Sequence, residues 1–252
     1  MMNYADTDDI PEQRNELNAA YVYSRVSAGV IASMDAAAAL AMPGVVDFIT
    51  AKDVTDSGCA NDCGIFPGDQ EIFASKQVYC AGQAVGLIVA DTLAHAQAAS
   101  KIVVVHYTPL PAKSILSIDE AVAANSFIDP NNPFDGGHVT EVKQGDVATG
   151  FAAAKHVASG VVRSGAQEHF YMETMAAVAV PEEDGFWTVH ASAQGPASIR
   201  STLTGVLQIP GSRINVITKR AGGGFGGKIT GPHPIAGTPP VLVQKCQTRP
   251  KQ

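Results

Sequence analysis

Ala221-Gly222-Gly223-Gly224-Phe225-Gly226-Gly227-Lys228 lies just beyond a β-rich stretch, Arg213-Ile214-Asn215-Val216-Ile217-Thr218. Glycine is used where backbone adopts φ > 0 or closely approaches another group. A flexible linker would mix glycine with serine and carry no large apolar side chain. One phenylalanine among five glycines, placed after a strand, predicts instead a fixed loop whose amides face a ligand.

The spacing Gly222-x-Gly224-x-x-Gly227 formally satisfies the dinucleotide fingerprint, which requires a following helix and an acid about 20 residues later. Pro232, Pro234, Pro239 and Pro240 are expected to interrupt that helix, and no Asp or Glu follows Asp184. Gly222-x4-Gly227-Lys228 also has P-loop spacing, but Ile229 stands where Ser or Thr must hold magnesium, and Thr230 is one place too late. Both nucleotide readings fail on context.

Upstream, the first half reads as mixed α and β. Asp35 is placed to cap a short helix at 36–41, stopped by Pro43-Gly44. Residues 85–90 form a short branched apolar run, hence a buried strand. Asp91 is expected to cap a helix at 92–101, with a returning strand at 102–107, together a small strand–helix–strand domain. Ser117-Ile118-Asp119-Glu120 is a capping box. A polar, proline-bearing stretch reads as a linker, dividing the chain into 1–125, 126–138 and 139–252. In the last part Asp146 caps a helix at 147–155, and strands are expected at 157–163, 176–180 and 186–190. The latter two make a hairpin around Glu183-Asp184-Gly185. Ile199, Leu203, Val206 and Leu207 fall on one face of a helix.

The 252 residues are enough for one or two domains with a buried core. No apolar run reaches the roughly 18 residues of a membrane helix, and the start shows no secretory signal, so no membrane and a cytoplasmic place are expected. Four cysteines are too few for a disulfide scaffold; Cys59 and Cys63 read as loop thiols and Cys80 as a buried small hydrophobe. The net charge of −7 conceals a division: residues 1–184 hold all 24 acids against 9 bases, and residues 185–252 hold 8 bases and no acid. Such asymmetry points to an anionic partner. The bases are scattered without stacking aromatics, which argues against nucleic acid and for a phosphorylated cofactor.

Taken with Gln167-Glu168-His169-Phe170-Tyr171-Met172-Glu173-Thr174, Ser192-Ala193-Gln194 and Gly82-Gln83-Ala84-Val85-Gly86-Leu87-Ile88-Val89-Ala90-Asp91, the glycine loop completes an ordered set. That set, with Tyr4-Ala5-Asp6, Asp9-Ile10-Pro11 and Met42-Pro43-Gly44-Val45, resembles the xanthine dehydrogenase and aldehyde oxidase family of molybdenum hydroxylases over about residues 3 to 230. The resemblance implies an α+β fold: a small α/β hammerhead-type domain, then the first part of a molybdopterin-binding domain. It also implies an oxidoreductase that hydroxylates a purine, N-heterocycle or aldehyde with oxygen from water, passing two electrons through molybdenum.

In the family a pterin dithiolene holds the metal, so no metal-ligand spacing is expected in the chain. Gln194 matches the glutamine that donates to the metal's oxo group. Gly223, Gly224, Phe225 and Gly226 match the backbone against the metal centre and cofactor. Lys228 is expected in solvent or near the cofactor's phosphate. His169 with Glu168 and Glu173 is given a structural role rather than metal ligation, and Phe170 and Tyr171 read as core aromatics.

Two departures qualify the resemblance. Ile229 stands where xanthine dehydrogenases carry a substrate-binding glutamate, and it leans the pocket toward aldehydes or varied heterocycles. The family's catalytic base, substrate arginine and most pterin contacts lie further downstream than this chain extends, and its [2Fe-2S] and FAD domains lie elsewhere. The expectation is therefore a fragment completed by further polypeptide or partner subunits, homo-oligomeric in complete form. The alternative is a non-catalytic, degenerate paralogue that binds or regulates.

Overall fold

The computed structural model describes residues 16–110, 114–127 and 142–248, the last six as backbone only. Two compact units result, one from residues 16–114 and 169–248, the other from 115–168. The expected linker at 126–138 lies almost wholly outside the described residues.

The larger unit begins with β1 (Asn18–Tyr23), β2 (Gly29–Asp35), α1 (Ala37–Leu40), β3 (Val45–Ile49) and α2 (Ala51–Asp56). It continues with β4 (Gln77–Val78), β5 (Ala84–Ala90), α3 (Leu93–Ser100) and β6 (Val104–Thr108). The apolar run at 84–90 is the centre of an antiparallel sheet ordered β1-β5-β3, buried along nearly its whole length. β6 belongs to a second antiparallel sheet, β4-β2-β6. The expected strand–helix–strand unit thus exists in order but spans two sheets, because β5 finds antiparallel partners on both edges and leaves no edge for β6. The N-cap of α1 is Ala36 rather than Asp35, which lies one residue earlier and accepts at Oδ1 from Ala37 N at 2.9 Å. At α3 the cap is Thr92, whose hydroxyl accepts from His95 N, and Asp91 pairs instead with the His95 ring at 2.6 Å.

The smaller unit holds α4 (Ile118–Ala123) and α5 (Val147–Ala153), capped by Ser117 and Asp146. Residues 157–163 form no strand. All of 142–170 is exposed, and an isolated extended segment gains no ladder hydrogen bonds without a sheet edge.

The larger unit resumes with β7 (Ala177–Pro181), β8 (Trp187–Ala191), α6 (Pro196–Leu207), β9 (Ile214–Ile217), α7 (Gly227–Thr230) and α8 (Pro232–Thr248). β7 and β8 are the expected hairpin, and β9 joins β8 in parallel through α6. The buried side chains of α6 are Ile199, Leu203, Val206 and Leu207, the predicted face.

The glycine loop does lead into helices, against the expectation drawn from the prolines. Pro232 and Pro234 occupy the first turn of α8, where backbone N–H groups have no intrahelical acceptor to lose. Pro239 and Pro240 lie inside the helix and forgo the bonds to Ile235 and Ala236. Tertiary packing holds the helix through them: Ala236 and Val241 are buried in the main core, with Thr238 buried between.

That core draws on both segments of the unit. Ile49, Val54, Phe73 and Leu87 pack in one cluster with Trp187, Val189, Leu203, Val206, Ala236 and Val241. Cys59 and Cys63 do lie in the loop between α2 and β4, with both side chains buried in this core. Cys80, expected inside, is exposed, since it lies in the turn between β4 and β5 beside Gly82 at φ +86°. Among the described residues no helix is long and apolar enough to cross a membrane.

Candidate functional site

Two parallel strands bring the site together. β8 and β9 run in register from Trp187↔Ile214 to His190↔Ile217, so both chains leave the sheet at the same end. Thr218 Oγ1 donates to Ala191 O at 2.8 Å and ties the two exits. Gln194 follows one exit and the glycine loop the other. The carboxyl ends of parallel strands are where open α/β sheets bind ligands.

Gln194 is gripped by three hydrogen bonds. Its backbone N donates to Lys228 O at 2.8 Å, and its Oε1 accepts from Gly226 N at 3.0 Å and Lys228 N at 3.2 Å. Only a carbonyl oxygen can answer two N–H donors, so the amide orientation is fixed by its partners. The Nε2 group has no partner among the described residues, and the residue is exposed.

Gly224 is required beneath this grip, for a Cβ there would sit 2.5 Å from Gln194 Oε1. Phe225 and Gly226 are both left-handed, at φ +50° and +97°. That conformation is strained for a phenylalanine, and its ring stands 73% exposed at the mouth of the loop. Ile229, 46% exposed, stands at the loop's edge and donates its N–H to Gly226 O at 3.1 Å.

The segment 169–175 forms the loop's floor. Glu173 Oε2 accepts from Gly223 N at 3.0 Å, and that amide bond holds its carboxyl below the usual carboxylate range. A Cβ on Gly227 would meet Tyr171 Cε1 at 2.5 Å and His169 Cγ at 2.9 Å. Lys228, expected in solvent or near the cofactor's phosphate, is fully buried: its Nζ donates to Ala221 O at 2.5 Å and lies 5.0 Å from the Tyr171 ring centroid. Burial pushes its pKa down, against the pull of the Glu173 carboxylate. Phe170, expected in the core, is 81% exposed at φ +50°, and Tyr171 is half-buried under the loop.

The expected residues Gln194, Gly223, Gly224, Phe225 and Gly226 therefore lie together, with Ile229 at the rim. Sequence reasoning missed the grip of Glu173 on the loop and the burial of Lys228; neither has a local signal, since both depend on what the chain places across from them. The arrangement fits an oxygen-bearing cofactor through one unpartnered amide donor, Gln194 Nε2, while the glycines let Glu173, Tyr171, His169 and Gln194 close against the loop. Among the described residues no three His, Cys, Asp or Glu side chains gather as metal ligands. Such a group would thus rely on Gln194 and the loop for contact rather than on side-chain ligation.

Comparisons with known proteins agree along nearly the whole chain. Residues 2–111 match the family model for the aldehyde oxidase and xanthine dehydrogenase a/b hammerhead domain, and residues 130–250 that for the molybdopterin cofactor-binding domain. The chain is 40% identical over 232 residues to the xanthine dehydrogenase of Emericella nidulans, covering 92% of this chain and 16% of that protein. It is 41% identical over 224 residues to the xanthine dehydrogenase/oxidase of Rattus norvegicus, covering 88% of this chain and again 16% of the other. The aldehyde oxidoreductase of Desulfovibrio gigas superposes at TM-score 0.75 with 25% identity, over 96% of this chain and 27% of that one. Quinoline 2-oxidoreductase from Pseudomonas putida 86 superposes at 0.72 with 25% identity, over 92% and 30%. The chain spans only about a sixth of the length of its curated relatives (16%). With both segments matched and the glycine loop seated on Gln194, the chain belongs to the xanthine dehydrogenase and aldehyde oxidase family of molybdenum hydroxylases.

Proposed function

We propose that this chain forms part of the substrate-oxidising half of a molybdenum hydroxylase, acting on an aldehyde or N-heterocycle with oxygen taken from water. The observation that carries this reading is the double amide grip on Gln194 Oε1, which leaves Nε2 as a preorganised donor with no partner among the described residues. When bound, molybdopterin supplies a molybdenum centre that accepts two electrons. Gln194 Nε2 would donate to an oxygen of that group, and the loop at 223–226 would face it with the exposed Phe225 ring. A donor already oriented loses little on reorganising as charge develops.

Ile229 bears on the substrate. An apolar side chain cannot hydrogen-bond a purine edge, and a missing polar contact weighs heavily in discrimination. The site therefore suits aldehydes or varied heterocycles better than xanthine, although the curated relatives are named for xanthine. Proton abstraction, most pterin contacts and electron removal through [2Fe-2S] and FAD fall to polypeptide beyond this chain.

The test is made on the native complex isolated with an antibody to this chain. Stoichiometric molybdenum and pterin, with dye-coupled oxidation of an aldehyde, is the expected result. Gln194→Ala in that complex lowers kcat by roughly a hundredfold with an unchanged melting temperature. A stable complex that never contains molybdenum and shows no dye reduction would overturn this reading in favour of a binding or regulatory paralogue.

A further inference from the structure

We propose that Lys228 is a positioning residue: its buried ammonium closes the glycine loop on itself and thereby sets the direction in which Gln194 presents its amide. This rests on the function proposed above.

Three observations converge on it. Lys228 is fully buried, the only lysine or arginine among the buried polar residues of the described chain. Its Nζ donates to Ala221 O at 2.5 Å, so the last residue of the loop is bound to the first. Its backbone is simultaneously the anchor for Gln194, donating from N to Oε1 at 3.2 Å and accepting at O from Gln194 N at 2.8 Å. One residue therefore joins loop closure at its side chain to amide orientation at its backbone.

The surroundings are built to keep that charge in place. The ammonium lies 5.0 Å from the centroid of the Tyr171 ring, within the range of cation–π attraction. Glu173 adds an opposite charge from the same floor, and its carboxylate is itself fixed by Gly223 N at 3.0 Å. Burying a charge is costly unless it is paired or hydrogen-bonded, and a methionine of similar length would fill the space without that cost. What methionine cannot do is hold the Ala221 carbonyl. Without that bond the left-handed pair Phe225 and Gly226 loses the closure that keeps it strained, and the Gly226 amide drifts from Gln194 Oε1.

The experiment compares Lys228→Met with wild type in the native complex by three readouts: amide exchange of the 221–228 peptide by mass spectrometry, molybdenum content, and kcat and KM. The expected result is exchange faster by about tenfold, retained molybdenum, and kcat lower by about tenfold with KM little changed, since a small misplacement of a catalytic group acts on kcat. Faster exchange with wild-type kcat would make Lys228 a merely structural residue and overturn the inference. Lower kcat with unchanged exchange would also overturn it, since the residue would then act by another route. If Lys228→Met does not fold, Lys228→Gln, shorter and neutral but still polar, is judged by the same criteria. Gln194→Ala is the parallel control. If it too leaves kcat unchanged, the proposed function falls. If it alone lowers kcat, the function stands and the role of Lys228 falls.

Discussion

Tyr21 on β1 and Thr238 on α8 meet hydroxyl to hydroxyl at 2.9 Å, 217 residues apart in sequence. Both hydroxyls also reach Pro234 O, Thr238 at 2.7 Å and Tyr21 at 3.3 Å, and either can donate within the pair. Tyr21→Phe removes one hydroxyl of this network and keeps the ring's packing beside Phe73. The expected loss is about 1 kcal/mol, the net value of one internal hydrogen bond, read as a lower denaturation midpoint with an unchanged slope.

Gly224→Ala tests the closest approach in the site. Its added Cβ would lie 2.5 Å from Gln194 Oε1, and the neighbour it meets is itself pinned by two amides. Overpacking of this kind costs roughly 1–3 kcal/mol. The variant is expected to unfold at a lower temperature and to lose the Gln194 grip, seen as faster amide exchange at Gly226 and Lys228.

Ile229→Glu restores a carboxylate at the rim of the loop. In the active complex kcat/KM for xanthine is expected to rise relative to that for an aldehyde by at least about tenfold, the weight of one hydrogen bond to a charged partner. An unchanged ratio would remove Ile229 from the substrate pocket.

His233 carries a pH dependence. Its ring is buried between Cys63 O at 3.3 Å, Thr202 Oγ1 at 3.1 Å and Ser198 Oγ at 3.3 Å, and burial pushes its pKa below the ordinary value. The unfolded chain therefore binds a proton at His233 before the folded protein does. Stability contributed by the neutral ring is fully present above about pH 6.5 and is lost as pH falls toward the folded value. His233→Gln should flatten the fall in stability below about pH 6.5, measured by urea unfolding from neutral into acid solution.

The thiols should separate by reactivity. Burial pushes the Cys63 thiol up to about 12, and that of Cys59 upward as well. Cys80 is exposed. With a neutral disulfide reagent at pH 8, peptide mapping is expected to find Cys80 modified in the folded protein and Cys59 and Cys63 only after unfolding.

What the sequence made legible was local. The face of α6 follows from its spacing, the caps Ser117 and Asp146 from the turn that follows each, and β5 from a run of branched apolar residues. Pairing was not legible. Nothing in residues 84–108 says that β5 and β6 join different sheets, because that choice is made by β1, β2 and β3. The prolines of α8 misled for a related reason: two stand in a turn that needs no donors, and packing carries the helix past the others. In the site, Gln194 and the glycines were found through an ordered set of segments. Phe170 stands outside although it read as a core aromatic, and Lys228 is buried, since burial depends on the partners across the loop rather than on residue type.

The shared core has a consequence for synthesis. Ile49, Phe73 and Leu87 leave the ribosome early, yet their packing partners Ala236 and Val241 are added only after residues 90–235. At roughly 5–20 residues per second, that apolar surface stays open on the nascent chain for on the order of ten seconds. Shielding by a chaperone over that interval suits such a chain, because residues 49–87 are made well before the segment that covers them.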